Sequence, residues 1–141
     1  MMMLTGIEHA KAKGNPHIVI SEDGKAAVWA GVIDDLWKMG KPVGHGGPWL
    51  ETEVKAREKS DPFLIGFYDK REMTLSHAAS SEVVFTVEVD PTGDGQWFKY
   101  ADFEVKPGAS FKHKFPKAFQ ARWIRVSTNV DTKATVSFEY R

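Results

Sequence analysis

A two-residue alternation of side chains in residues 83–90 constrains the fold of this chain more than any other feature. Its apolar positions share one face of an extended segment: Val83, Phe85, Val87 and Val89. β-Branched and aromatic residues in this period predict a strand. The sequence PTGDG at 91–95 predicts a turn, because proline presets φ and glycine accepts positive φ. The aromatic run at 96–100 then predicts the second strand of a hairpin.

The same alternation returns in three later segments, residues 111–115, 121–128 and 134–140. Turn signals separate the apolar runs every eight to twelve residues. This pattern predicts an all-β fold, an antiparallel β-sandwich of the jelly-roll type with at most one or two short helical turns. We expect a polar N-terminal tail over residues 1–16 and a single sandwich domain over residues 17–141.

Residues 33–49 differ from the alternating pattern. Residues 33–40 (IDDLWKMG) carry apolar side chains at helical spacing, which predicts one helical turn. Residues 41–49 (KPVGHGGPW) contain three glycines and two prolines, which predicts a long irregular loop. Long loops in compact domains often carry function.

Charge and composition exclude several classes of function. Lys plus Arg and Asp plus Glu both number 19, so the net charge is zero, and we expect neither a nucleic-acid nor a membrane partner. The chain has no cysteine, which excludes disulfides, thiol catalysis and cysteine-bound zinc. Balanced charge suits a neutral polar ligand such as a sugar. The first residues do not resemble a secretory signal, although the expected compartment is extracellular or periplasmic.

The sequence QARWIRV at residues 120–126 is similar to a strand near the end of galactose-binding-domain-like (discoidin-type) jelly-roll modules. The strand, turn and aromatic-rich strand before it support the resemblance, which extends over residues 60–141. The terminal cysteine pair usual in that family is missing here. The resemblance implies a jelly roll that often binds carbohydrate and is often appended to secreted bacterial enzymes. It supplies no aligned site residues.

The candidate ligand-binding residues flank the glycine-rich segment: Asp34, Asp35, Trp37, His45 and Trp49. Flat aromatic faces suit the axial C–H groups of a sugar, and carboxylates and histidine suit its hydroxyls. A packing interpretation stays open beside this one. In it, the two tryptophans cover one end of the sandwich, and Asp34 caps the helical turn.

The sequence predicts neither a catalytic residue nor a metal ligand. Adjacent carboxylates such as Asp34 and Asp35 rarely converge on one scissile bond, and the five histidines have no metal-binding spacing. We therefore expect no cofactor. A structural calcium ion at Asp90 and Asp94 is an alternative to a plain turn in the DPTGDG loop.

Together these patterns predict a non-catalytic carbohydrate-binding or accessory module of a larger exported bacterial protein. Two alternatives remain. One is a structural or interaction module that docks on a domain of its parent enzyme. The other is a small glycan-active enzyme.

Overall fold

The computed structural model describes residues 1–5, 7, 14–38 and 42–141. The chain divides into two units, Met1–Gly40 and Lys41–Arg141. The sequence predicts a different division, with a tail over residues 1–16 and one domain from residue 17 onward. The units differ from this prediction because the earliest strands pair with one another in a small sheet of their own.

The first unit is a three-stranded antiparallel sheet followed by a short helix. Its strand order is β1-β3-β2, and its elements are β1 (Met2–Leu4), β2 (Ile18–Ile20), β3 (Ala27–Gly31) and a 3-10 helix (Ile33–Lys38). The predicted helical turn is thus confirmed over its described residues, and residues 39–41 lie outside them. The predicted tail begins with a strand, while its residues 6 and 8–13 lie outside the described part of the chain.

The second unit is a sandwich of two four-stranded antiparallel sheets, as predicted. One sheet has the order β5-β10-β7-β8 and the other the order β4-β11-β6-β9. The strands are β4 (Gly44–Val54), β5 (Phe63–Leu64), β6 (Arg71–His77), β7 (Val83–Asp90), β8 (Phe98–Val105), β9 (Phe111–Lys114), β10 (Trp123–Thr128) and β11 (Thr132–Tyr140).

The core of the sandwich consists of the inward-facing side chains of both sheets. In β7 the four alternating apolar residues are at most 8% exposed, and on the opposite sheet Val136 and Phe138 are fully buried. Burying each such side chain contributes about 1.5–3 kcal/mol. The two-residue period therefore shows which side of each strand faces the other sheet.

The prediction of an irregular loop over residues 41–49 is wrong for its second half. Gly44 onward forms β4, which pairs with β11 through register shifts that place Gly47 and Pro48 opposite Ser137. A Cβ at Gly47 would collide with the carbonyl oxygen of Val136 and lie 2.8 Å from the Cα of Ser137. Glycine here allows two backbones to approach, and proline is tolerated because the bulge leaves it outside the regular ladder.

Aromatic side chains of β8 and β9 close one side of the sandwich. Tyr100 and Phe103 of β8 contact the ring of His113 of β9, with centroids 5.6 and 4.8 Å away. The Tyr100 hydroxyl lies 2.9 Å from Nε2 of His113. These edge strands belong to different sheets, so the contacts join the two sheets at this side.

Candidate binding cleft

Three of the predicted site residues lie on the 3-10 helix of the first unit. Asp35 accepts the N–H of Val32 at 3.0 Å and the ammonium of Lys38 at 3.2 Å. The Val32 N–H first, and then Lys38, hold the pKa of the Asp35 carboxyl below its usual value. Asp35 therefore caps the helix, while Asp34 is exposed and the Trp37 side chain is 86% exposed.

The other two predicted residues lie on β4 of the second unit. His45 is exposed and stands opposite Glu139 of β11. Trp49 is 8% exposed and belongs to the hydrophobic core. Its burial corresponds to the packing role that the sequence leaves open. The five predicted residues are thus divided between two units, three on the helix and two on this strand.

A cleft of about 220 Å³ opens beside Trp49 on the sandwich, and we call it the Trp49 cleft. One wall is the end of β4 and the other is the segment that crosses from β4 to β5. The lining residues are Trp49, Thr52, Glu53 and Val54 on the first wall and Glu58, Lys59, Ser60 and Asp61 on the second. Carboxylates and hydroxyls therefore line this cleft together with a core tryptophan.

Backbone pairing with β10 fixes the second wall of the Trp49 cleft. The N–H of Ser60 donates to the Val126 carbonyl at 2.8 Å, and the Ser60 hydroxyl accepts the Val126 N–H at 3.0 Å. One step earlier, the Arg57 N–H donates to the carbonyl of Thr128 at 2.7 Å. Both bonding groups of Ser60 are thus committed to β10, so the wall has a defined position before any ligand arrives.

The Trp49 indole N–H is not sealed inside the core. The N–H of Trp49 makes no hydrogen bond to any residue that the structure describes. None of the fully buried polar side-chain atoms of the described residues lacks a hydrogen-bond partner. This N–H must therefore reach solvent, although the ring around it is buried. The carboxylates of Glu58 and Asp61 also make no hydrogen bond within the described chain, and both residues are exposed. The cleft accordingly offers several acceptors, and Trp49, which lines it, carries a donor that reaches solvent.

Lys59 contributes its stem rather than a free charge to the Trp49 cleft. Its Nζ lies 2.8 Å from Oε2 of Glu88, on the outer face of the neighbouring sheet. The carboxylates of Glu53, Glu58 and Asp61 therefore dominate the charge of the lining. Such a surface accepts hydrogen bonds from hydroxyl groups and repels anions.

In the DPTGDG loop, the buried carboxylate of Asp90 accepts hydrogen bonds from backbone N–H groups of the same loop. Asp90 accepts the N–H groups of Thr92, Gly93 and Gly95 at 3.2, 2.7 and 2.8 Å. Burial raises the pKa of Asp90, but these N–H groups outweigh burial and lower it overall. The geometry is that of a turn. Among the described residues, no group of three or more His, Asp or Glu side chains is placed to hold a metal ion.

Sequence reasoning missed the second wall of the Trp49 cleft. The run EKSD at residues 58–61 was the available signal, because it is a charged segment between two strand candidates. Its proximity to Trp49 depends on pairing with β10, more than 60 positions later in the chain.

No helix in the described ranges has the length and hydropathy that a membrane crossing requires. Comparison of the chain with protein-family models, with curated proteins and with solved structures gave no match.

Proposed function

We propose that the protein is a non-catalytic module that binds a neutral sugar ring in the Trp49 cleft. The observation that carries this proposal is a core tryptophan with a solvent-accessible indole N–H that lines a cleft together with exposed carboxylates. A buried ring positions its donor rigidly, and the carboxylates accept hydrogen bonds from sugar hydroxyls. The resemblance to galactose-binding-like modules extends the proposal to an accessory role in an exported bacterial protein.

The size and charge of the cleft support a small neutral ligand. Its volume of about 220 Å³ is below the roughly 300–1,000 Å³ of sites for drug-sized molecules. A single sugar ring is of suitable size, with the rest of a glycan extending into solvent. We expect modest affinity, because an open polar site buries little surface and gives up ordered water.

Binding is a better interpretation of this cleft than hydrolysis. Glycoside hydrolysis requires one carboxyl group whose pKa is raised by an apolar environment. Glu53, Glu58 and Asp61 are all exposed, so none of the three has such an environment. The cleft therefore has the groups that orient a sugar but not the desolvated acid that would cleave its glycosidic bond.

A glycan array followed by titration calorimetry tests this proposal. We expect a neutral glycan to bind and Trp49→Phe to weaken it about threefold to tenfold, because one neutral hydrogen bond is worth about 0.5–1.5 kcal/mol. Glu58→Gln should weaken binding at least as much. Glu104→Gln, an exposed change on β8, is the matched control and should leave affinity unchanged.

The predicted helix residues provide a second comparison in the same experiment. If binding survives both cleft variants but is lost in Trp37→Ala, the site lies on the first unit and the Trp49 cleft is rejected. Absence of binding to every neutral glycan on the array would reject the sugar-binding function itself.

A docking role is the second candidate, and the first unit carries the observation that favours it. Cross-strand pairs place four apolar residues on one face of its sheet: Met3 opposite Ala30 and Val19 opposite Val28. Met3 and Val19 are each 61% exposed. Exposed apolar faces mark interaction sites. If this role is correct, size-exclusion chromatography should show self-association that Val19→Lys reduces, whereas a monomer at high concentration would contradict it.

A further inference from the structure

We propose that the outer face of the β5-β10-β7-β8 sheet carries a second binding site, for a sugar ring bearing a carboxylate, centred on Arg125 and Trp97. We call it the Arg125 surface. It is formed by residues outside the Trp49 cleft except for Lys59, and it stands independently of the function proposed above.

The Arg125 side chain is held in place, but not all of its hydrogen-bond donors are used. It projects outward from β10, because its neighbours Ile124 and Val126 are fully buried on the inner side. Its guanidinium carbon lies 4.2 Å from the ring centroid of Trp97, and its Nε donates to Glu88 at 2.8 Å. Neither terminal nitrogen makes a hydrogen bond within the described residues. A fixed guanidinium with a free planar fork is the usual partner of a carboxylate.

Donors exceed acceptors around this fork. Lys59 and Arg125 both approach the same oxygen of Glu88, at 2.8 Å each. Burial raises the pKa of Glu88, but these two cations outweigh it and lower the pKa overall, so the carboxylate stays ionised. Two positive charges therefore share one negative charge.

Two further carboxylates of this face are already engaged, and Glu104, which is exposed, pairs with Val84 and not with Glu88. Asp90 accepts three backbone N–H groups, and Asp102 accepts Thr86 and Lys99. A ligand that brings its own negative charge would balance the excess positive charge of Lys59 and Arg125.

Indole rings give the Arg125 surface its preference for a ring-bearing ligand. Trp123 lies two residues before Arg125 on the same strand, so both side chains take the outer face. The N–H groups of Trp97 and Trp123 make no hydrogen bonds within the described chain, and both rings are partly exposed. Aromatic faces contact sugar C–H groups, while the indole N–H groups donate to ring or carboxylate oxygens.

A uronate sugar fits this arrangement better than a polyanionic chain. Nucleic acid is held by many cations that follow a phosphate backbone, and the chain as a whole has no net positive charge. The surface instead combines one guanidinium fork with two indoles. One carboxylate on a sugar ring whose C–H groups contact an indole satisfies both features at once.

Calorimetric titration of the full chain with trigalacturonic acid and with its methyl ester tests this inference. The ester keeps the rings and removes the charges, and we expect it to bind at least about tenfold more weakly. Arg125→Lys keeps a positive charge but removes the fork, and it should weaken binding of the acid by about tenfold. Trp97→Ala should weaken both ligands.

Matched controls separate this site from general charge effects and from the Trp49 cleft. Lys114→Gln removes an equally charged but exposed side chain from the other sheet and should leave binding unchanged. Trp49→Phe should also leave it unchanged. Because Arg125 also bonds Glu88, a thermal melt of each variant checks that it is folded. Trp97→Phe is a milder change than Trp97→Ala in the contact between Trp97 and Arg125.

Three results would overturn the inference. One is equal binding of acid and ester, and another is binding that is unaffected by both Arg125→Lys and Trp97→Ala. The third is equally tight, Arg125-dependent binding of polyaspartate, because it would identify an acidic peptide rather than a sugar as the ligand. Failure of neutral glycans to bind would leave this inference standing, so the two proposals fail separately.

Discussion

Gly47→Ala is expected to lower the free energy of unfolding of the sandwich by about 3 kcal/mol, the upper range for overpacking a fixed site. The new Cβ would collide with the Val136 carbonyl and crowd the Cα of Ser137. Both are backbone atoms of β11, the central partner of β4 and β6. Neither can move away as the end of a flexible side chain would, so strand pairing itself must shift. Urea denaturation measures the change.

Gly44→Ala is the matched control for this prediction. It lies on the same strand, and its added Cβ would meet only Tyr140 at 3.8 Å and Tyr68 at 3.9 Å, which are ordinary contacts. We expect a change within about 1 kcal/mol of zero. Equal effects of the two substitutions would show that the bulge of β4 does not depend on close backbone approach.

Phe138→Ala is expected to destabilise the protein by about 3–5 kcal/mol, the range for deleting a large aromatic side chain from a core. Phe138 is fully buried on β11 and stacks on Phe63 and Tyr140, with centroids 5.6 and 6.1 Å away. These partners belong to both sheets. The cavity would thus remove contacts between the layers, not only within one.

Phe98→Ala is the control for this second prediction, because Phe98 is 55% exposed at the start of β8. We expect it to change stability by no more than about 0.5–1 kcal/mol. Urea unfolding of the two variants gives the comparison. At equal dependence of the unfolding free energy on urea concentration, the difference between their midpoints measures the difference in stability. A loss at Phe138 no larger than that at Phe98 would contradict the core described above.

Local pattern was sufficient to predict the strands whose environment repeats along the chain. In β7 every second residue faces the other sheet, so its alternation reflects burial directly. The hairpin from β7 to β8 followed as well, because its turn has glycines at positive φ, Gly93 and Gly95. Such features depend on neighbours a few residues away, and short-range rules describe them.

The sequence misjudged β4 because the reason for its glycines lies elsewhere in the chain. Gly47 is needed for close approach to Val136, about ninety residues later, rather than for a loop. Trp49, for which the sequence leaves both ligand stacking and packing open, lies in the hydrophobic core. Likewise, Trp97 contacts Arg125, which lies 28 positions later in the chain, and no local motif predicts that contact.

The segment between β4 and β5 has a consequence for solubility. Residues 57–60 occupy the side of β10 that the two-residue strand β5 leaves uncovered, with bonds from Arg57 and Ser60 to its carbonyls. An uncovered strand edge at this position would present unpaired backbone groups, and extended chains from other molecules pair with such groups. Here the covering segment is rich in charge, and Arg57 has a φ of 64°, which breaks any further extended pairing. The stretch that forms one wall of the Trp49 cleft thus also closes this edge of the sheet to pairing with another chain.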